Sequence, residues 1–200
     1  MTTNEFNYYL LYAEAIPSSP AVILGDEMDE DEIVIEEPIS DQIELIEMKF
    51  WEPYPKKPVM VDFHDNGTIG VVSKKIYNVL SPLNIKGIEL IPATIFDPKN
   101  KNTYEDYYFL HIYNYLECLD RDKAIYKIGS VGTILNIKKV VLDINVLSKI
   151  PLEDRLIFRL GEMFTHQLFH ESVVEKIMAS SPQGLRFVKV ENFNMGSAFD

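Results

Sequence analysis

Apolar and polar positions along this 200-residue chain group into short blocks that predict mostly strands. Residues 6–13 are aromatic and apolar and predict a strand, which a Pro- and Ser-rich turn at residues 17–20 ends. Residues 43–50 fit either a strand or a short helix, because their period is ambiguous. Further strands are predicted at residues 107–116, 133–142 and 156–160. Seven to nine strands with two or three short helices make an α+β fold with a mostly antiparallel sheet.

One sequence pattern occurs twice. Residues 71–80 combine a strand end with a helix and lead to a strand at Gly87, and residues 169–178 lead in the same way to Gly184. Apolar spacing i, i+3, i+4 gives each helix one buried face, which matches Ile76, Val79 and Leu80 with Val174, Ile177 and Met178. Two interpretations stay open: a duplicated helix-and-strand unit, or two ordinary helix-to-strand connections.

Charge is concentrated in one stretch of the chain. The net charge is −12, and residues 25–38, GDEMDEDEIVIEEP, hold eight carboxylates without Lys or Arg, so the other 186 residues carry only −4. Such a concentrated field favours a basic protein partner. It excludes nucleic acid and anionic membrane surfaces as partners, because their phosphates would be repelled.

The acidic stretch does not fit a calcium loop. Counted from Asp29, Ile33 stands at the fifth ligand position and Val34 at the sixth, where an EF-hand has an oxygen ligand and a glycine. Two interpretations remain, a solvated loop without a partner, or a docking surface anchored by Ile33-Val34-Ile35. The carboxylates of the docking surface would be Asp26, Glu27, Asp29, Glu30, Asp31 and Glu32.

The segment Trp51–Pro58 divides the chain. Its three prolines exclude regular structure, and we expect an acidic N-terminal segment, residues 1–58, packed on a core of residues 59–200 within one compact domain. Cys118 is the only cysteine, which suits a reducing compartment. The opening MTTNEFNYY lacks the pattern of a signal peptide, and no apolar run reaches the ~18 residues of a transmembrane helix. These features predict a cytoplasmic protein.

The sequence contains no catalytic constellation, and we expect neither a metal nor another cofactor. His166 and His170 have a zinc-like spacing, but on a strand they would lie ~13 Å apart, too far for one ion. The leucines beside Cys118 indicate a buried, inert thiol. His64 and His111 are isolated. If the chain were an enzyme, the candidate cluster would be His166, His170, Glu171 and Asp143.

Several elements in order resemble one bacterial family. Residues 106–123, DYYFLHIYNYLECLDRDK, resemble its core "YYLLNVLNVVDCLDRE". Residues 72–92 resemble its "VSERV…G(V/I)xFxPV" element, residues 140–160 its "LVLD…IFRL" element, and residues 169–190 its closing "FVSERVKEAL…GVRFVPV". The family is the eleventh of the immunity proteins of polymorphic toxin systems, formerly a domain of unknown function. The resemblance covers about residues 59–190 and, more faintly, Tyr8 to Leu11.

This resemblance implies a non-enzymatic immunity protein that binds and neutralises a cognate secreted toxin domain by stoichiometric occlusion. The family's shared residues, among them Cys118 and Arg159, would then hold the fold. The acidic stretch lies outside the resemblance and would meet a basic toxin surface, with a nuclease as the class to test first on charge alone. Trp51 and Tyr54 are candidate aromatic anchors, unless they pack against their own domain. The alternative is a small hydrolase that reverses a toxin's modification or acts on its product.

Overall fold

A computed structural model gives the fold and describes residues 3–130, 132–194 and 196. The strands are β1 (Tyr8–Ala13), β2 (Val22–Leu24), β3 (Ile46–Phe50), β4 (Phe63–Asp65), β5 (Gly70–Ser73), β6 (Ile88–Asp97), β7 (Asn102–Ile112), β8 (Tyr115–Leu116), β9 (Ile125–Ile128), β10 (Ile134–Lys139), β11 (Ile157–Leu160), β12 (Met163–His170) and β13 (Leu185–Lys189). The α-helices are α1 (Glu30–Ile33), α2 (Lys74–Leu80), α3 (Ile144–Leu147) and α4 (Glu171–Ala179). The α+β prediction is confirmed, although strands as short as β2, β4 and β8 are too brief to show a period and were not predicted.

A six-stranded sheet has the order β2-β3-β6-β7-β5-β4. All of its pairs are antiparallel except β3 with β6. The ambiguous segment 43–50 is therefore a strand from Ile46 onward, and its buried side chains are Ile46, Met48 and Phe50. This alternation is what a strand with one face on a core shows.

A five-stranded sheet has the order β13-β1-β12-β11-β8, with β8 and β11 as its one parallel pair. Strand β1 comes from the first residues of the chain and lies between β12 and β13, which come from its last 40 residues. It is antiparallel to both. A separate hairpin pairs β9 with β10. Strands from residues 1–58 thus lie within both large sheets.

Each large sheet contains the same strand–helix–strand unit. In the first, β5 and β6 are joined through α2 and lie on either side of β7, antiparallel to it. In the second, β12 and β13 are joined through α4 and flank β1 in the same way. A further antiparallel strand, β4 or β11, extends each unit on the same side. This shared topology favours the duplicated unit over two ordinary connections.

Strand pairing identifies which residues of the two units are equivalent. Ser73 pairs with Tyr107, His170 pairs with Tyr8, and Ser73 and His170 each directly precede their helix. Residue 73 therefore corresponds to residue 170, which lies 97 positions later.

Backbone dihedral angles repeat with the same offset. The φ angle is positive at Asn84 (46°) and at Ser181 (51°), and again at Gly87 (79°) and Gly184 (81°). Positive φ is uncommon outside glycine, so two coincidences at one offset are strong support for equivalence. Both connections from helix to strand therefore follow one backbone path.

This equivalence corrects the predicted alignment of the helices by one residue. Ile76 corresponds to Val173 and Leu80 to Ile177, one position earlier than the apolar spacing suggested. All four are buried, whereas Met178 is exposed. An apolar side chain near a helix end was mistaken for part of the buried face.

Three apolar clusters hold these layers together. The first lies between the two sheets and contains the apolar faces of α2 and α4 with residues from both units. The second covers the other face of the six-stranded sheet and includes Ile33 from the acidic stretch, residues 25–38, and Ile39 directly after it. The third packs the β9–β10 hairpin and α3 against the five-stranded sheet. The acidic segment is therefore part of a core layer and is not a detached loop.

Arg159 is a buried cation that connects the two sheets. Its Nε donates to the carbonyl of Ile112 (3.2 Å), one terminal nitrogen donates to Phe164 (2.9 Å), and the other donates to Thr68 (2.9 Å). Burial lowers its pKa, although Tyr115 and Asp65 act in the opposite direction. The guanidinium satisfies carbonyls from three separate chain segments, an architectural role.

His64 and His111 are packed side chains. His64 Nδ1–H donates to the carbonyl of Pro20 (3.1 Å), and burial lowers the pKa of His64 to about 4. Burial likewise lowers the pKa of His111. Both imidazoles are therefore neutral in the folded protein at pH 7.

We expect stability to fall on acidification through His64. Between pH ~6.5 and ~4 the unfolded state protonates this imidazole and the folded state does not, so the free energy of unfolding decreases by up to about 3 kcal/mol as the pH falls. Urea unfolding at a series of pH values would measure the slope. His64→Phe should reduce the slope in this window and leave the part that comes from His111 and His166, whose pKa values burial also lowers; an unchanged slope would contradict the assignment.

Candidate partner-binding surface

The acidic segment, residues 25–38, has a fixed backbone. Asp29 precedes α1, and its carboxylate accepts the backbone N–H of Asp31 (3.1 Å), as an N-cap does. Ile33, at the end of α1, is 0% exposed and packs in the cluster on the six-stranded sheet. Val34 and Ile35 are partly buried beside it. These three apolar residues form the anchor that the sequence predicted.

Two side chains of the six-stranded sheet fix the far end of the segment. His111 Nε2–H donates to the carbonyl of Glu37 (2.8 Å). Glu89 accepts the backbone N–H of Ile39 (2.8 Å) and the hydroxyl of Ser40 (2.5 Å). Glu89 and His111 lie on the adjacent strands β6 and β7, so the six-stranded sheet holds the backbone at the end of the acidic segment in place.

The predicted carboxylates lie on the outside of this fixed segment. Asp26, Glu27, Asp29, Asp31 and Glu32 are exposed, and Glu30 is half-buried. Lys49 forms an ion pair with Asp26 and is the one cation among the described residues that pairs with these six. An exposed pair of this kind contributes little to stability. The segment thus presents an excess of negative charge to solvent.

The two candidate aromatic anchors differ in position. Trp51 is 60% exposed, directly after β3. Tyr54 is 7% exposed, and its hydroxyl donates to Asp97 (2.7 Å), so it packs in its own domain. We correct its expected place from surface to core, and Trp51 stays as the aromatic candidate.

The four residues of the hydrolase alternative lie on strand β12, at the start of α4 and directly before α3. His166 and His170 lie on strand β12, as the spacing argument assumed. Glu171 accepts hydrogen bonds from Asn7 (3.1 Å) and Tyr9 (3.3 Å), and Asp143 caps α3. Among residues 3–130, 132–194 and 196, no group of three or more His, Cys, Asp or Glu side chains is arranged to hold a metal ion.

Cys118 is buried, as its leucine neighbours predicted. Burial raises the pKa of its thiol, and the nearby carboxylates of Glu162 and Asp143 add to that effect. A thiol in this environment is not a nucleophile at neutral pH.

A cavity of about 790 Å³ opens between five parts of the chain that are distant in sequence. Its wall comes from the end of β1, the β4–β5 turn, strands β10 and β12, and Phe193. A shallower depression of about 470 Å³ adjoins it and is lined by Asp26, Asp29 and Glu30. Asn66, in the β4–β5 turn, lines both. Sequence patterns did not indicate this cavity, because no single segment supplies more than a fraction of its wall.

Two large apolar side chains lie exposed near the cavity. Leu135 on β10 is 56% exposed and contributes to the wall, and Phe164, next to wall residues on β12, is 46% exposed. Exposed apolar groups beside polar ones are typical of protein-binding surfaces. The acidic segment, the cavity and these side chains together form the candidate partner-binding surface.

Within the part of the chain that the structure describes, no helix is both long and apolar enough to cross a membrane.

Comparison with known proteins identifies one family. The model of the immunity protein family (Imm11) matches residues 27–192, about four fifths of the chain. The match begins at Glu27 and therefore includes most of the acidic stretch, which the resemblance over residues 59–190 did not. No curated protein matches the chain.

Proposed function

We propose that this chain, which belongs to the immunity protein family Imm11 and so has an immunity function, neutralises a cognate secreted toxin domain by covering its basic active-site cleft with the acidic segment. The mechanism is stoichiometric occlusion. The chain forms and breaks no covalent bond in this process.

The observation that carries the proposal is the fixed excess of negative charge on residues 25–38, in which only Asp26 has a described cationic partner. Five of the six predicted carboxylates are exposed, and the backbone beneath them is anchored by Ile33 and by the bond from His111 to Glu37. Charges held in place need no ordering on binding, so less entropy is lost when a partner docks. A disordered acidic loop would lack this advantage.

The partner's surface follows from charge complementarity. An acidic face accelerates encounter with a basic one and disfavours acidic competitors. Enzymes that act on nucleic acid need basic clefts to hold phosphates, so a nuclease is the toxin class to test first. Trp51, Leu135 and Phe164 supply exposed apolar area, which governs how slowly the complex dissociates.

Growth rescue tests the proposal. The toxin domain to use is the variable C-terminal domain of a large secreted protein encoded beside this chain's gene. Co-expression with this chain should restore growth that the domain alone abolishes. If this chain restored growth against none of the neighbouring toxin domains, and formed no complex with any of them on size-exclusion chromatography, the immunity role would be contradicted.

A titration separates occlusion from the hydrolase alternative. With the purified toxin domain well above its dissociation constant, residual toxin activity should fall linearly and reach zero at about one chain per toxin domain. A hydrolase that reversed the toxin's modification would protect at far lower ratios, because each copy turns over many times. Full protection well below a 1:1 ratio would therefore contradict occlusion.

A further inference from the structure

The β9–β10 hairpin exposes positive charge together with apolar side chains. Residues 125–139 contain three lysines and no carboxylate, whereas the whole chain has a net charge of −12. The three lysines are exposed, and none of them forms an ion pair with another described residue. Three aliphatic side chains of the hairpin are each more than half exposed. The hairpin patch consists of these six residues: Ile125, Lys127, Ile128, Leu135, Lys138 and Lys139.

Strand pairing explains why the hairpin has an outward side. Tyr126 and Ile137 pair across the two strands, and both pack in the cluster under the hairpin. Ile125 and Lys139 form the next pair and point the other way, because successive side chains of a strand alternate between its faces. Neighbouring exposed aliphatic groups mark interaction sites, whereas isolated ones do not. The hairpin patch therefore has the composition of an interface.

The hairpin patch and the acidic segment border the same cavity. Leu135 of the patch lines this cavity, and Lys127 is the cross-strand partner of Asn136, which lines it as well. The depression that adjoins the cavity through Asn66 is lined by three carboxylates of the acidic segment. One surface therefore carries positive charge on one side of the cavity and negative charge on the other.

A surface with opposite charges side by side is complementary to itself. If a second copy is rotated by 180° about an axis through the cavity, the hairpin patch of each copy meets the acidic segment of the other. Both contacts then form at once, and Leu135 and Phe164, exposed beside the cavity, supply an apolar centre near the axis. The lysines meet carboxylates in this arrangement, and the aliphatic side chains leave water.

We propose that two copies of this chain form a two-fold dimer, in which the hairpin patch of each copy covers the acidic segment of the other. The charges of the chain itself identify the occupant of each surface. The dimer goes beyond the proposed function, because it forms without a toxin. Its consequence for immunity rests on that function: dimer and toxin compete for the acidic segment, so the dimer stores the chain until a toxin arrives.

Sedimentation equilibrium of the full-length chain tests whether the dimer exists. As the protein concentration rises, the measured mass should increase from that of one chain to that of two and no further. The dimer dissociation constant should increase with salt concentration, because salt screens the charged contacts. The mass of one chain at every concentration would overturn the proposal. A mass above two chains would also overturn it, because it would indicate a head-to-tail contact that does not close.

Charge reversal tests which surfaces meet. Lys127→Glu with Lys138→Glu makes the hairpin patch negative, and Glu27→Lys with Glu32→Lys makes the acidic segment more positive. Each double variant alone should dimerise about tenfold or more weakly, because like charges then face each other at both contacts. An equimolar mixture of the two should recover the dimer. In the mixed dimer the reversed patch meets the reversed segment, and the unchanged patch meets the unchanged segment.

Lys57→Glu with Lys176→Glu is the matched control. It makes the same change of charge at two exposed lysines outside both surfaces, and it should dimerise like the unmodified chain. Equal weakening by this control, or no recovery in the mixture of the two folded variants, would overturn the proposed contacts.

The dimer and the immunity role can fail separately. A chain that stays monomeric would overturn the dimer and leave growth rescue untouched. Failure of rescue with an intact dimer would contradict the toxin-binding role alone. If Lys127→Glu with Lys138→Glu kept the dimer and weakened toxin binding, the hairpin patch would belong to the toxin interface, and the proposed dimer contact would be overturned.

Discussion

Replacing Asp26, Glu27, Asp29, Glu30, Asp31 and Glu32 with Asn or Gln should weaken toxin binding roughly 100-fold at low salt. The change removes six negative charges from one fixed segment, and charge pairs at the edge of an interface each contribute about 0.2–1 kcal/mol. Because salt screens these interactions, the dissociation constant of the variant should also depend less on salt concentration. Calorimetry or surface plasmon resonance at several salt concentrations would measure both effects.

A charge-matched control separates position from net charge. It carries six amide replacements at exposed carboxylates outside the acidic segment, at Glu14, Glu105, Asp106, Asp122, Glu153 and Glu175. Both variants change the formal net charge from −12 to −6. The control should lose much less affinity. Equal losses would mean that only the overall charge matters, and unchanged binding of the first variant would exclude the acidic segment as the interface.

Arg159→Met should lower the free energy of unfolding by about 3–5 kcal/mol. Methionine fills much of the same volume but removes the donors to the carbonyls of Ile112, Phe164 and Thr68, the first of which is buried and the other two partly buried. Arg159→Lys should also be destabilising, because one ammonium group cannot reproduce the planar arrangement of three donating nitrogens. Chemical unfolding in urea would measure both variants.

Arg121→Met is the matched control for this prediction, because Arg121 is exposed. Surface substitutions of this kind change stability by about 0.5 kcal/mol or less. If Arg159→Met proved as stable as Arg121→Met, Arg159 would not be the connection between the sheets that its hydrogen bonds indicate.

The features that depend on residues close together in sequence could be predicted from the local pattern of apolar and polar residues. The starts of α2 after Ser73 and of α4 after His170 follow from apolar spacing within each segment. The burial of Cys118 followed from its leucine neighbours. The acidic segment's anchor at Ile33 could also be predicted, because one apolar triplet interrupts a run of carboxylates.

Features formed by distant segments could not be predicted in this way. Tyr54 lies in a proline-rich connector, and no residue near it in sequence indicates the hydrogen bond that its hydroxyl donates to Asp97. Strand β3 pairs in parallel with β6, and such pairing depends on packing across the whole domain. Asn66, Asn136 and Gln167 line the cavity but come from three separate segments, and no local sequence pattern predicts that these segments lie side by side.

The one-residue error in aligning the two units has the same origin. Met178 continues an apolar pattern beyond the buried face of α4, and only pairing with β1 shows that Val173 is the equivalent of Ile76. Single apolar residues at the surface are common, so spacing alone cannot separate them from core positions.

The placement of β1 between β12 and β13 has a consequence for biosynthesis. The ribosome makes this apolar strand early, yet both of its hydrogen-bonding neighbours are translated after residue 162. The residues of β1 therefore have no strand to pair with through most of elongation. The second unit can be completed only once β13 has emerged from the ribosome. Under the proposed function, the chain can therefore neutralise its toxin only after β13 has been translated, and termination upstream of β13 should abolish neutralisation.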